Sequence, residues 1–123
     1  MHRYNLADEL NGNVGFAARH QLRAQAAERD VRDRSLEIER DVRTDWARAK
    51  DAYLQIQVAQ DLVDQTGVAV RLAQARYDAG LGSIVELNQA ELSQTSALIQ
   101  AASARFDYLS ARAALNYALG VRP

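Results

Sequence analysis

The sequence has no cysteine, and its single proline is the last residue, Pro123. Without cysteine there are no disulfides, no thiol catalysis and no thiolate metal site, although exported bacterial proteins also lack it and the compartment stays open. Without internal proline the strongest helix breaker is missing from the whole interior. Charge of one sign is missing too: 15 basic against 16 acidic side chains leave a net charge of −1. No field therefore draws the chain to nucleic acid or anionic lipid, and nucleic-acid binding is set aside. No apolar run approaches the roughly 20 residues of a membrane-spanning helix, so direct membrane insertion by this chain is not expected. The opening MHRYNLADELNGN has no apolar signal-peptide core. If the protein is exported, this chain reads as a piece of something longer.

What is abundant is alanine, with leucine, glutamine, arginine and glutamate, a composition of long helices and coiled coils. From Gly15 to Asp78 apolar or small residues recur at steps of three and four: Ile38, Val42, Trp46, Ala49, Tyr53, Ile56, Val63, Gly67, Val70, Tyr77. That spacing predicts one amphipathic helix over about 15–78, roughly 95 Å long at 1.5 Å per residue. Asn11 to Gly15, NGNVG, favours a turn, so 1–14 is expected to be irregular. Gly80 and Gly82 end the first helix. Ser83 then stands at an N-cap with Glu86 three residues on, the spacing of a capping box. A second helix over about 84–119 follows, stopped by Gly120, with 121–123 as a tail and Pro123 preventing resumption.

The second helix carries two seams. One reads Leu87, Ala90, Gln94, Ala97, Ala101, Ala104, Tyr108, Ala111, Leu115, Ala118; an offset one runs through Leu92, Ile99, Ala102, Phe106, Leu109, Ala113 and Tyr117. Two seams call for two neighbours. Alanine at so many seam positions buries little area, so a lone hairpin would be weak and an oligomer is expected. The fold class is therefore all-α: a long antiparallel, coiled-coil-like hairpin over 15–120, assembled into a helical bundle or α-barrel. The second helix, roughly 54 Å by its residue count, is too short to cover the first. The uncovered part holds ERDVRDRSLEIERDVR, Glu28 to Arg43, whose alternating charges read as a solvated face or as salt bridges to a partner outside the chain.

Catalysis finds no foothold. His2 and His20 lack the three or four convergent ligands of a metal site, and Ser83 beside Glu86 has no histidine or lysine to act as base. Gly80, Leu81 and Gly82 have no preceding strand and no following Lys-Ser/Thr, so they are not a phosphate loop. Trp46 and Tyr53, seven apart on one face, read as packing residues. Tyr77, one turn before the break, reads as a structural anchor from spacing alone. No enzyme activity, metal or cofactor is expected.

The run YDAGLGSIVELNQAEL, Tyr77 to Leu92, followed by Ala101, Arg105, Tyr108, Ala111, Leu115 and the ending ALG, closely resembles the C-terminal repeat of TolC-like outer-membrane efflux proteins. Leu10 to Asp30 resembles, less specifically, the place where that family leaves its second strand and enters its long helix; Leu10 and Asn13 depart from the Phe and second Gly usual there. The resemblance implies a trimeric duct whose protomers, of two repeats each, form an outer-membrane β-barrel continued by a periplasmic α-helical tunnel, as used in type I secretion and multidrug efflux. A second short helix, absent from this chain, would cover Ala17 to Val42. By position, the periplasmic tip is Ala79, Gly80, Leu81, Gly82 and Ser83, where the family meets a membrane fusion (adaptor) protein and through it an inner-membrane pump. Tyr77 and Glu86 match the family's gate tyrosine and first acidic position. Gly82 stands where a well-known member has arginine and Gln89 where it has a second aspartate, so any gate of Tyr77, Glu86 and Gln89 would rest on fewer charges. The chain lacks the family's strands and first repeat. The rival expectations are a soluble helical-hairpin scaffold or chaperone binding partner helices, and the hairpin of an adaptor itself.

Overall fold

The computed structural model describes residues 6–121, which form two helices and the turns that end them. Helix α1 spans Leu6–Asp78 and helix α2 spans Ile84–Ala118. Among the described residues there is no strand. The all-α hairpin expected from the seams is the fold observed. The chain divides into two compact units between Arg40 and Asp41, and each is described separately.

In the first unit, α1 is exposed along its length from Leu6, with only Gly15 partly covered. Local chemistry holds it. Asp8 and Glu9 lie in the first turn, where negative charge meets the positive end of the helix dipole. Glu28 and Arg32, and Asp30 and Arg34, are spaced i, i+4, worth about 0.2–0.5 kcal/mol per pair. Ser35 returns its hydroxyl to the Val31 carbonyl at 2.8 Å, and the His20 ring sits edge-on to Phe16 with centroids 4.4 Å apart.

One boundary differs from expectation. The helix does not begin at Gly15; it begins at Leu6 and passes through Asn11, Gly12, Asn13 and Gly15. Asn and Gly lower helix propensity by up to about 1 kcal/mol each, but neither removes a backbone donor as proline does. With helix formers on both sides, propagation costs less than breaking and renucleating. His2 and Pro123 lie outside the described residues.

In the second unit α1 and α2 pack antiparallel. Tyr53 faces Tyr108, with ring centroids 5.7 Å apart, and Gly67 lies opposite the Gln94 amide. Advancing fourteen residues along α1, from Tyr53 to Gly67, takes the partner back fourteen along α2, from Tyr108 to Gln94. That is two heptads without loss of register, the meshing of a coiled coil.

Small residues line the contact. Ala49, Ala59 and Gly67 are buried from α1, and Ala97, Ala104 and Ala111 from α2; Leu87, 6% exposed, is the one large side chain among the buried residues. Every member of the inner α2 seam, Leu87 through Ala118, is buried or half-buried. Thr66, half-buried on α1, satisfies its hydroxyl on the Leu62 carbonyl at 2.8 Å. The offset seam of α2 lies bare: Leu92 is 64% exposed and Phe106 77%. Alanine permits close approach of the helices but contributes little apolar area, about 25 cal/mol per Å² buried. The bare seam holds most of the area that α2 could still bury.

Candidate functional site

Two helix-ending signals and one starting signal build the hairpin tip. Gly80 adopts φ +73°, the left-handed conformation that side chains with a Cβ avoid. This lets the Gly80 amide donate to the Tyr77 carbonyl at 3.0 Å and the Leu81 amide to the Arg76 carbonyl at 2.8 Å. Those bonds form a Schellman motif, which satisfies carbonyls a helix end would leave orphaned. The same motif closes α2: Gly120, φ +71°, donates to Tyr117 and Val121 to Asn116.

Ser83 opens α2 in extended conformation, its hydroxyl accepting from the Glu86 amide at 3.2 Å. Half of the capping box forms in this way. The Glu86 carboxylate does not turn back to Ser83; it points across the break, 3.9 Å from the Arg76 guanidinium, which also donates to the Leu81 carbonyl at 3.4 Å. Both side chains of the ion pair are about half exposed, so its contribution is no more than about 1 kcal/mol.

Gly82 is explained by this crossing. Its φ is not in the left-handed region, but a Cβ there would lie 3.1 Å from the Arg76 Cβ and 3.1 Å from a Glu86 carboxylate oxygen. The site therefore brings Arg76, Gly82 and Glu86 together. Gly82 stands between the two charged side chains and gives them room.

Of the expected gate residues, Tyr77 is 42% exposed on the last turn of α1. Gln89 is exposed, and its backbone carbonyl accepts from the Ser93 hydroxyl at 2.9 Å. No hydrogen bond or ion pair links Tyr77, Glu86 and Gln89 to one another. Ala79 and Leu81 cap the tip, with Leu81 74% exposed.

Three residues of the tip escaped the sequence reading. Arg76 could have been found from its place in the last turn of α1, where a cation meets the negative end of the helix dipole. Ile84 and Val85, 49% and 70% exposed, could have been found from register, since Val85 lies seven residues before Leu92 and so belongs to the outer seam. With Leu81 they form an apolar cluster at the end of the hairpin.

At the other end of the contact, Trp46, Lys50, Tyr53, Tyr108, Arg112 and Leu115 line a shallow, open cleft. The Lys50 ammonium sits 5.3 Å from the Trp46 ring centroid, within cation–π range. Trp46 and Tyr53 thus serve packing on one edge and remain half open on the other.

The two helices thus form a coiled-coil hairpin with a small-residue seam, a bare second seam and a capped apolar tip. Among the described residues no helix is long and apolar enough to cross a membrane, and no three ligating side chains converge on a metal position. The family model described as outer membrane efflux protein matches residues 9–121, and the chain belongs to that family. The match bears out the resemblance carried by the Tyr77 to Leu92 run. No curated protein and no solved structure shows a significant match.

Proposed function

We propose that this hairpin is a stave of the periplasmic α-helical tunnel of an outer-membrane efflux duct, and that its tip docks a membrane fusion protein. In this reading the protein is a passive conduit part without catalysis, metal or cofactor, and the inner-membrane pump, reached through the adaptor, selects what is exported. It works as a homo-oligomer, a trimer when the duct is complete, in the periplasmic portion of an outer-membrane assembly. Tyr77, Glu86 and Gln89 contribute at most a weak gate. Among the described residues the charge contact at that level is the exposed Arg76–Glu86 pair.

The observation that carries the reading is the tip. Its backbone is fixed on both sides of the break by the Schellman motif and the Ser83 cap, yet Leu81 is 74% exposed and Val85 70%. An ordered turn that presents apolar side chains to solvent is arranged for contact. Leu81→Asp in the assembled duct should cut export at least about tenfold, the effect of losing a buried apolar anchor and burying a charge. Protein level and hairpin melting temperature should be unchanged, because the side chain is exposed. Normal export by Leu81→Asp would contradict the docking role.

A further inference from the structure

The contact between α1 and α2 has two edges and two flanks. Each helix carries exposed apolar side chains on the side turned away from the other, Leu54, Val58, Val68 and Leu72 on α1 and Val85, Leu92, Ile99 and Phe106 on α2. Asp61 and Gln65 interrupt the first of these stripes and no charge interrupts the second. Apolar stripes at that spacing are edges for neighbouring helices. Between the edges lie the two flanks of the hairpin, and their chemistry differs.

On one flank α2 presents Gln89, Ser93, Ser96, Gln100 and Ser103, all exposed, and α1 presents Gln55, Leu62 and Ala69 beside them. Gln55, Leu62, Gln100 and Ser103 line a single open groove between the helices. By helical register no charged residue falls on this flank from Gln89 to Ser103 of α2 or from Gln55 to Ala69 of α1. At 1.5 Å per residue that is roughly 20 Å of uncharged wall. Its polar groups are partly satisfied within α2 itself: the Ser93 hydroxyl donates to the Gln89 carbonyl at 2.9 Å and the Gln100 amide to the Ser96 hydroxyl at 3.4 Å. Charge returns only at its ends, with Arg76 and Glu86 toward the tip and Asp107 at the far end of the groove. The opposite flank carries bulk and charge. Trp46, Lys50, Tyr53 and Arg112 line its groove, and Asp64, Arg71, Glu91 and Arg105 follow along it.

We propose that the uncharged flank lines the passage of the duct and that the aromatic, charged flank faces outward. The inference rests on the conduit reading above and deepens it by assigning the wall. Two arguments select the flank. In a closed ring of staves inward side chains converge and outward ones spread, so serine and alanine suit the inside and tryptophan, tyrosine and arginine the outside. A passage also discriminates among solutes by the fixed charges and hydrogen-bonding groups along its wall. Hydroxyl and amide groups keep a wall hydrated without holding counter-ions. This stretch therefore passes anionic, cationic and neutral solutes alike, and selection by charge falls to its charged ends.

The assembled duct, reconstituted in a planar lipid bilayer, tests this with single cysteines, since the chain supplies none of its own. Labelling Ser96→Cys or Ser103→Cys with a cationic methanethiosulfonate should lower the conductance and shift the reversal potential in a salt gradient toward anion selectivity. The anionic reagent should shift it toward cation selectivity. Lys50→Cys and Arg105→Cys, on the other flank, should be labelled by the same reagents with neither readout changed. Shifts on labelling Lys50→Cys or Arg105→Cys, or none at Ser96→Cys and Ser103→Cys once both are labelled, would overturn the assignment of flanks. A reconstituted parent that conducts no ions would overturn the conduit reading itself and this inference with it, so the two failures are told apart by the unlabelled protein.

Discussion

Replacing Ala97 with leucine should destabilise the hairpin by about 2 kcal/mol, a fall of roughly 10 °C in melting temperature for a unit of this size. Ala97 is 1% exposed, the lowest value among the buried hydrophobic residues. The inner seam at this point is built on alanine, and a leucine adds three carbon atoms to a side chain that is already enclosed. The helices must separate or the new side chain must leave its preferred rotamer. Separation would also loosen the neighbouring contacts at Ala104 and Gly67. Ser96→Leu, one residue earlier on an exposed position, should change stability by no more than about 0.5 kcal/mol. Thermal melts of both variants at one fixed protein concentration check the contrast, since any self-association makes the midpoint concentration-dependent. Equal effects at the two positions would mean that the seam is not closely packed.

Gly80→Val should cost about 1–2 kcal/mol and also abolish tip function. The cost is conformational and not steric: a Cβ at Gly80 meets nothing within 4 Å, but the residue holds φ +73°, which a β-branched side chain resists. If the backbone leaves that conformation, the Leu81 amide loses the Arg76 carbonyl and the apolar tip cluster turns away from its present direction. Export should therefore fall further than the loss of stability alone explains. Gly82→Ala provides the comparison, because its difficulty is of the opposite kind. There φ is ordinary and the obstacle is the Arg76 Cβ at 3.1 Å, so shortening Arg76 to alanine leaves that clash while Arg76→Gly relieves it. Gly80→Val should be rescued by neither. Melting curves and export assays on the same set of variants distinguish the two mechanisms.

The fold was largely legible because its determinants are periodic. The inner α2 seam from Leu87 to Ala118 and the α1 positions Val42, Ala49, Ile56, Val63 and Val70 repeat at seven residues, and the structure covers these positions. The start of α1 was not legible. NGNVG carries strong local turn preference, but the preference is small beside the cost of interrupting a helix with no proline in it, and a window of five residues cannot reveal that balance. At the site, the turn itself was legible from Gly80, Ser83 and Glu86, because caps are local chemistry. The Arg76–Glu86 crossing was not. It depends on how two helices are juxtaposed by the turn, and it diverts the Glu86 carboxylate from the reciprocal cap bond that the S-x-x-E spacing suggests. Gly82 looked like a missing gate charge in the sequence; in the structure it is the space through which a different charge pair meets.

The duct reading also gives the bare surfaces a common physical meaning. A hairpin whose buried residues are almost all alanine or glycine leaves its larger apolar side chains on the outside, and in the proposed duct those side chains would be the means of assembly. The outer seam of α2 offers length and register for a neighbouring helix. The tip offers a small apolar cluster on a fixed turn. These are separate surfaces, and substitutions in one should leave the other intact.

The central claim is that the tip at Leu81 is the docking point for an adaptor, and site-directed cross-linking tests it most directly. Leu81→Cys is the position of choice over Gly82, where a side chain would strike Arg76. In cells that export normally, an assembled duct carrying Leu81→Cys, paired with adaptor variants bearing single cysteines along the helical hairpin, should yield a disulfide only with positions at the adaptor's hairpin tip. Cross-links confined to the sides of the adaptor hairpin, or none at all while export proceeds, would contradict the account.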